Sequence, residues 1–313
     1  MSATLALTMG DYNGIGPEII LKSAHLLPAG SVVFGSRYVF DRVSAQTGIA
    51  LRDDLHWHDT AQVSETDYRP GTLSKHAGEA SMACIRAAVK HCMDGTSAAM
   101  VTAPISKEAI ALAGYDVPGH TEYLQRLTDS PDVGMVLASG GLRVGLVTIH
   151  MALSSIFSHI TKDNVLHHIV MLHNALRRDF GIAAPKIAVL GLNPHAGDGG
   201  VLGKEELTVI APAIRESHVY GINATGPFPA DGFFGNKLYD SYDGVLAMYH
   251  DQGLIPFKTI AFHDGVNITI GLPIVRTSPD HGTAFAIAGK GVANADSFQS
   301  AIQTSLILAS NRS

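Results

Sequence analysis

Tyr242-Asp243-Gly244-Val245-Leu246-Ala247-Met248-Tyr249-His250-Asp251-Gln252-Gly253-Leu254-Ile255-Pro256-Phe257-Lys258 is the stretch that decides the fold. Val245 to Met248 is an apolar run of the length of a buried strand, and it stops abruptly at His250 and Asp251. Ligands bind outside the carboxyl ends of the strands in open α/β sheets, so polar groups placed there are candidates for chemistry. The pattern occurs twice more. Val144–Ile149 runs into His150, and Ile187–Leu192 runs through Asn193-Pro194 into His195. Parallel strands would bring the three ends to one edge of a sheet. Three neutral imidazoles there suit zinc or a similar divalent ion, with coordination positions left for a substrate. With 16 His in the chain most must be ordinary loop or surface residues, and it is the repetition that singles out these three.

The rest of the chain reads as alternating strands and helices. Leu5–Met9 is a strand, followed by Gly10-Asp11-Tyr12-Asn13-Gly14-Ile15-Gly16-Pro17-Glu18. Pro17 suits a first helical position, and no Gly-x-Gly-x-x-Gly is present, so a nicotinamide cofactor would not bind in the ordinary Rossmann way. Strands follow at 32–35 and 98–102, with helices over 38–47 and 77–93. Residues 51–76 carry only weak signals around Leu55-His56-Trp57. Gly119-His120-Thr121-Glu122 opens a helix, with Thr121 as its cap. Residues 133–137 and 142–149 read as a hairpin turned at Ser139-Gly140-Gly141, so the sheet is mixed. Helices are expected over 161–178, 205–213, 283–289 and 297–309. Residues 226–234 read as a rigid loop holding a buried carboxylate, Asp231. Lys258, Asn267 and Arg276 form a candidate clamp for phosphate or carboxylate.

Composition bounds the class. At 313 residues, two lobes are expected. A 46% hydrophobic and 16% charged composition describes a folded chain, and a net charge of -6 without a basic run argues against nucleic acid. No apolar stretch approaches a membrane span, and the N-terminus lacks the pattern of a signal peptide, so a cytoplasmic protein is expected. Cys84 and Cys92, eight residues apart on one expected helix, stand ~12 Å apart, too far to bridge. Unaided, these residues point to a metal-dependent enzyme acting on a small phosphorylated anion.

Seven blocks, in order, carry a resemblance. They are Gly-Ile-Gly-Pro-Glu at 14–18, Gly-His-Thr-Glu at 119–122, Leu-Asn-Pro-His-Ala-Gly at 192–197, Pro-Ala-Asp at 229–231, Tyr-His-Asp-Gln-Gly at 249–253, Gly-Val-Asn-Ile-Thr at 265–269 and Arg-Thr-Ser-Pro-Asp-His-Gly-Thr at 276–283. Together they closely resemble the PdxA family of vitamin B6 synthesis. The resemblance implies two α/β/α lobes with an interdomain cleft, like the isocitrate and isopropylmalate dehydrogenases. The first lobe would be 1–130 plus 277–313 and the second 131–276. It implies a homodimer with its active site near the subunit interface. It implies a divalent ion (zinc, magnesium or cobalt) on His150, His195 and His250, and substrate contacts from His120, Thr121, Lys258, Asn267 and Arg276. NAD or NADP would take hydride from 4-hydroxythreonine 4-phosphate, giving a β-keto acid that decarboxylates to 3-amino-2-oxopropyl phosphate. Asp231, Lys258 and Asp251 are the candidates for the base. Relatives resembling this family act on D-threonate or D-erythronate 4-phosphate, and a hydrolase or lyase on a phosphorylated acid is the alternative of another class. The chain departs from the family in its opening turn, where Tyr12-Asn13 replaces a usual Pro-Ala.

Overall fold

A computed structural model describes residues 3–313. The chain packs as two compact units, one running through Val133 and resuming over Leu272–Asn311, the other spanning Gly134–Gly271. The return to the first unit comes before residue 277, so Arg276 belongs to the first unit rather than to the lobe that carries the histidines.

Strands of the first unit are β1 (Leu5–Thr8), β2 (Val32–Gly35), β3 (His56–Asp59) and β4 (Ala99–Thr102). The second unit supplies β5 (Gly134–Ser139), β6 (Leu142–Leu146), β7 (Lys186–Leu190), β8 (Asn223–Phe228), β9 (Gly244–Ala247) and β10 (Val266–Ile270). The chain then returns to the first unit with β11 (Val275–Pro279). In the first unit the order is β3-β2-β1-β4-β11, parallel throughout. β1, β2, β4 and β11 are buried along their whole length, as strands covered on both faces must be.

The second unit has the order β10-β5-β6-β9-β7-β8. Its β5–β6 pair is the expected antiparallel hairpin, and β10 is antiparallel to β5. β6, β9, β7 and β8 are parallel neighbours. Leu137, Val144, Ala188, Leu190, Ala247 and Phe257 are completely buried in the core of this unit. Burial of a large apolar side chain contributes ~1.5–3 kcal/mol. The helix Lys162–Arg178 begins where Thr161 accepts a hydrogen bond from the Asn164 amide.

Several local expectations change. Helix His120–Leu127 is preceded by Gly119 with no side-chain cap, so Thr121 lies inside the first turn. The helix expected over 283–289 is reduced to the 3-10 turn Phe285–Ile287, because Ala284 and Gly289 take positive φ and break it. The segment starting at Glu205 is a π-turn, Glu206–Ile210, running into helix Ala211–Val219. Asp231 is not buried in a rigid loop. It stands exposed on the short helix Ala230–Gly235. Among the described residues no helix is long and apolar enough to cross a membrane.

The departing opening turn has a structural explanation. The Asn13 side-chain oxygen accepts from the Arg69 amide and its carbonyl accepts from the Gly71 amide, while the Tyr12 hydroxyl lies 3.1 Å from His76 Nδ1. Tyr12-Asn13 thus fastens the segment 69–76 over the turn. Residues 10–20 are all buried, so this turn offers no open cradle to a dinucleotide.

Candidate active site

β6, β9 and β7 are adjacent and parallel, so the three apolar runs that end in histidine do finish side by side, with β9 in the middle. Their ends are tied by hydrogen bonds. The Val147 amide donates to the Ala247 carbonyl (2.9 Å), and the Thr148 hydroxyl donates to the Met248 carbonyl (2.8 Å). Gln252 accepts from the Met248 amide (2.7 Å) and donates to the Gly191 carbonyl (2.6 Å), bridging the ends of β9 and β7. Leu192 and Asn193, which follow, donate their amides to the buried Glu206 carboxylate. Neither Gln252 nor Glu206 stands out from the sequence as a site residue. Their partners lie on other elements, and only the Tyr-His-Asp-Gln-Gly block hinted at Gln252.

His250 is the first residue of helix His250–Ile260, directly after the end of β9. Its Nδ1 lies 2.7 Å from the Asp251 carboxylate. A carboxylate accepts, so Nδ1 carries a proton, and in the neutral ring it is Nε2 that holds the lone pair. The His150 ring lies beside it, with centroids 5.7 Å apart and planes tilted by 41°. The two histidines line a cavity of about 390 Å³ together with Tyr249 and Asp251. A neighbouring cavity of about 500 Å³ holds His195, Asn193 and Asp231, and Tyr249 and Asp251 line it too. Both fall in the size range of small-ligand sites. The structure therefore brings His150 and His250 together and sets His195 in the adjoining cavity. Among the described residues no three His, Cys, Asp or Glu side chains are placed to hold a metal ion.

His195 occupies an unusual backbone. His195, Ala196, Gly197, Asp198 and Gly199 all have positive φ, between 43° and 81°. Three of the five are not glycine, and each such residue costs ~1–2 kcal/mol. Strain of this kind concentrates at functional sites. Of the other candidates in this unit, Lys258 is half-buried on the helix that His250 begins, and Asn267 lies on β10 with its Oδ1 sealed from solvent and without a hydrogen-bond partner among the described residues.

The first unit holds the remaining candidates, His120, Thr121 and Arg276. Arg276 on β11 is only 2% exposed, and its Nε and Nη2 donate to the Thr102 hydroxyl at 3.1 and 2.6 Å. Burial lowers the guanidinium to about 9, so at neutral pH it remains a cation held in a dry setting. His120 Nε2 is sealed from solvent and has no hydrogen-bond partner among the described residues. Burial, and secondarily the charge on Arg276, push this imidazole well below the usual histidine range, so it is neutral. A desolvated cation beside an unsatisfied imidazole nitrogen is an arrangement that an anion would relieve.

The family model described as pyridoxal phosphate biosynthetic protein PdxA matches residues 20–305. A 4-hydroxythreonine-4-phosphate dehydrogenase of Prosthecochloris aestuarii is 44% identical, covering 99% of this chain and 98% of its own. A relative in Bradyrhizobium diazoefficiens, provisionally described as a D-threonate 4-phosphate dehydrogenase, is 41% identical over 100% of this chain and 98% of its own. Among solved structures, the 4-hydroxythreonine-4-phosphate dehydrogenase of Klebsiella pneumoniae superposes with a TM-score of 0.89 at 40% identity, covering 99% of this chain and 98% of the other. With the match extending over nearly the whole length, and with the mixed α/β fold in common, the chain belongs to the PdxA family.

Proposed function

We propose that this chain is an oxidoreductase that oxidises 4-hydroxythreonine 4-phosphate with NAD or NADP, in the synthesis of pyridoxal phosphate. The observation that carries this reading is the side-by-side ending of β6, β9 and β7 at His150, His250 and His195, on a chain of this family. The donor chemistry fits a divalent ion. Two rings already stand together, and Asp251 leaves Nε2 of His250 available. His150, His195 and His250 would hold that ion, whether zinc, magnesium or cobalt. When bound, it supplies Lewis acidity that lowers the pKa of a hydroxyl and favours negative charge on a neighbouring carbonyl oxygen.

The chain's own residues do the rest. Arg276, His120 and Thr121 of the first unit would take the phosphate, and Lys258 and Asn267 are the polar candidates for substrate contact within the second unit. A fixed phosphate turns remote binding energy into alignment of the reacting carbon. Asp251 is engaged with the His250 ring and so fixes its tautomer. Asp231 lines the His195 cavity, is exposed, and makes no hydrogen bond among the described residues, which leaves its carboxylate able to accept the substrate hydroxyl proton. Lys258 is the alternative acceptor. A nicotinamide, when bound, would supply the hydride acceptor, and the buried residues 10–16 offer it no exposed side chain. A homodimer is expected from the family resemblance, and Ile255 and Phe262 are exposed apolar side chains of the second unit.

The test is NADH or NADPH formation by metal-loaded protein offered 4-hydroxythreonine 4-phosphate, D-threonate 4-phosphate and D-erythronate 4-phosphate in parallel. Preference for the amino compound is expected. Preference for a sugar-acid phosphate would keep the site and move the reaction to sugar-acid catabolism. Silence with all three would overturn the dehydrogenase reading in favour of hydrolysis or lyase chemistry.

A further inference from the structure

Glu206 is a buried carboxylate, 2% exposed, at the start of the π-turn Glu206–Ile210. Among the described residues no cation pairs with it. Its charge is met by N–H donors alone, the Leu192 and Asn193 amides at 2.7 Å each to Oε1 and Asn193 Nδ2 at 2.9 Å to Oε2. The far side of the same turn also closes on it, since a Cβ on Gly197 would stand 2.6 Å from Oε2. Asn193 and Gly197 flank His195 on either side in the chain. Glu206 therefore binds the Asn193 shoulder of the turn that carries His195 and packs closely against its Gly197 shoulder, with no hydrogen bond to His195 among the described residues.

That turn has reason to be gripped. The run from His195 to Gly199 lies in the left-handed region, which L side chains enter only at a cost. A buried charge without a counter-ion is also costly unless every lone pair finds a donor. Simple loop closure needs neither expense. π-turns recur at functional sites.

We propose that Glu206 is a positioning residue for His195, holding its turn in the one conformation that presents the imidazole to a divalent ion. This rests on reading His195 as a ligand. Glu206 acts through the Asn193 backbone and the close approach of Gly197, and it is not itself a ligand, because both its oxygens are taken by N–H donors.

The test uses the full chain and the variants Glu206→Ala, Glu206→Gln, His195→Ala and Glu206→Ala combined with His195→Ala. Affinity for Co²⁺ is titrated calorimetrically and by the visible absorption of the bound ion, with circular dichroism as the check on folding. Glu206→Ala is expected to weaken binding ~10–100-fold, the range for residues that orient metal ligands. Glu206→Gln, keeping one acceptor oxygen, is expected to fall between it and the wild type, and the double variant is expected to lose no more than His195→Ala alone. Wild-type affinity and spectrum in folded Glu206→Ala, with His195→Ala impaired, would overturn the proposal and leave His195 as a ligand. Additive losses in the double variant would overturn it too. Wild-type affinity in His195→Ala would instead overturn the ligand reading itself. If Glu206→Ala does not fold, Glu206→Gln decides, and unchanged affinity there overturns the proposal.

Discussion

Replacing Arg276 with methionine separates what this residue does for the fold from what it does for a ligand. The guanidinium is 2% exposed and is lowered to about 9, chiefly by burial. A fall of more than three decades in proton affinity corresponds to ~4–5 kcal/mol of unfavourable free energy for the charged form in the ligand-free protein. The sign follows from the direction. The folded value lies below the unfolded one, so the penalty is present in full at neutral pH and is relieved only as pH rises above about 9. Among the contacts that offset it are two hydrogen bonds to Thr102, at ~1–2 kcal/mol each. Methionine fills much of the same volume without charge, so Arg276→Met is expected to leave thermal stability at pH 7.5 unchanged or raised by a few degrees. The same change removes the buried cation from a phosphorylated ligand, a loss of ~3 kcal/mol or roughly 10²-fold in KM. Inorganic phosphate should stabilise the wild type against heat, by ~2.7 kcal/mol at a hundredfold excess over its Kd, and should do little for the variant. The assays are differential scanning fluorimetry with and without phosphate, and steady-state kinetics on the phosphorylated substrate. A variant that melts well below the wild type yet keeps its KM and its response to phosphate would refute the argument, and Arg276 would be a fold residue only.

Three further outcomes are expected. His195→Ala should remain folded by circular dichroism but retain substoichiometric metal after dialysis, with turnover lost. Full metal content in that variant would contradict the site. Asp11 is buried, its Oδ2 has no hydrogen-bond partner among the described residues, and burial raises its pKa to about 6 against the pull of the Asn13 amide. A raised carboxyl stabilises the fold below the unfolded value near 4 and loses that contribution as pH rises to about 6, a cost of ~3 kcal/mol at pH 7. Asp11→Asn should therefore raise Tm at pH 7.5 and flatten its dependence between pH 4 and 6, and a wild-type profile would count against the buried charge. Gly253→Ala adds a Cβ 2.8 Å from Leu146 Cδ2, 2.9 Å from Val144 Cγ1 and 3.1 Å from Ala247 Cβ. The crowding should cost ~1–3 kcal/mol by urea denaturation and, by tilting the His250 helix, lower kcat. Unchanged kcat alongside lost stability would mean that the helix tolerates the shift.

What the sequence revealed was what short-range pattern encodes. An apolar run that stops at a histidine is visible without a structure, and parallel pairing of β6, β9 and β7 then brings the three ends to one edge. The hairpin of β5 and β6 was readable from its glycine turn. Asp231 was not, because burial depends on what covers a six-residue helix rather than on the prolines around it. The helix expected after His281 failed at Ala284, whose left-handed φ no local propensity predicts. The shape of the turn that carries His195 was hidden for a similar reason. It is set by five residues of positive φ and by a carboxylate more than ten positions downstream. Residues 51–76 gave little signal because β3 is mostly exposed, and a strand with one side toward solvent needs no continuous apolar run.

The antiparallel pairing of β10 with β5 places Ile270 opposite Gly134, and the second unit is the uninterrupted segment Gly134–Gly271. Its entry and its exit are thus cross-strand partners, a few ångströms apart in any antiparallel ladder. A cassette with that property is transplantable. It can be cut from its host chain at one place, closed with a short linker, or reopened elsewhere by circular permutation, without stretching the backbone. All three histidines travel inside the cassette, whereas Arg276 and His120 stay with the host. The proposed ion ligands, with Lys258 and Asn267, are therefore an inheritance separable from Arg276 and His120, which a lineage can recombine by moving a single piece of gene.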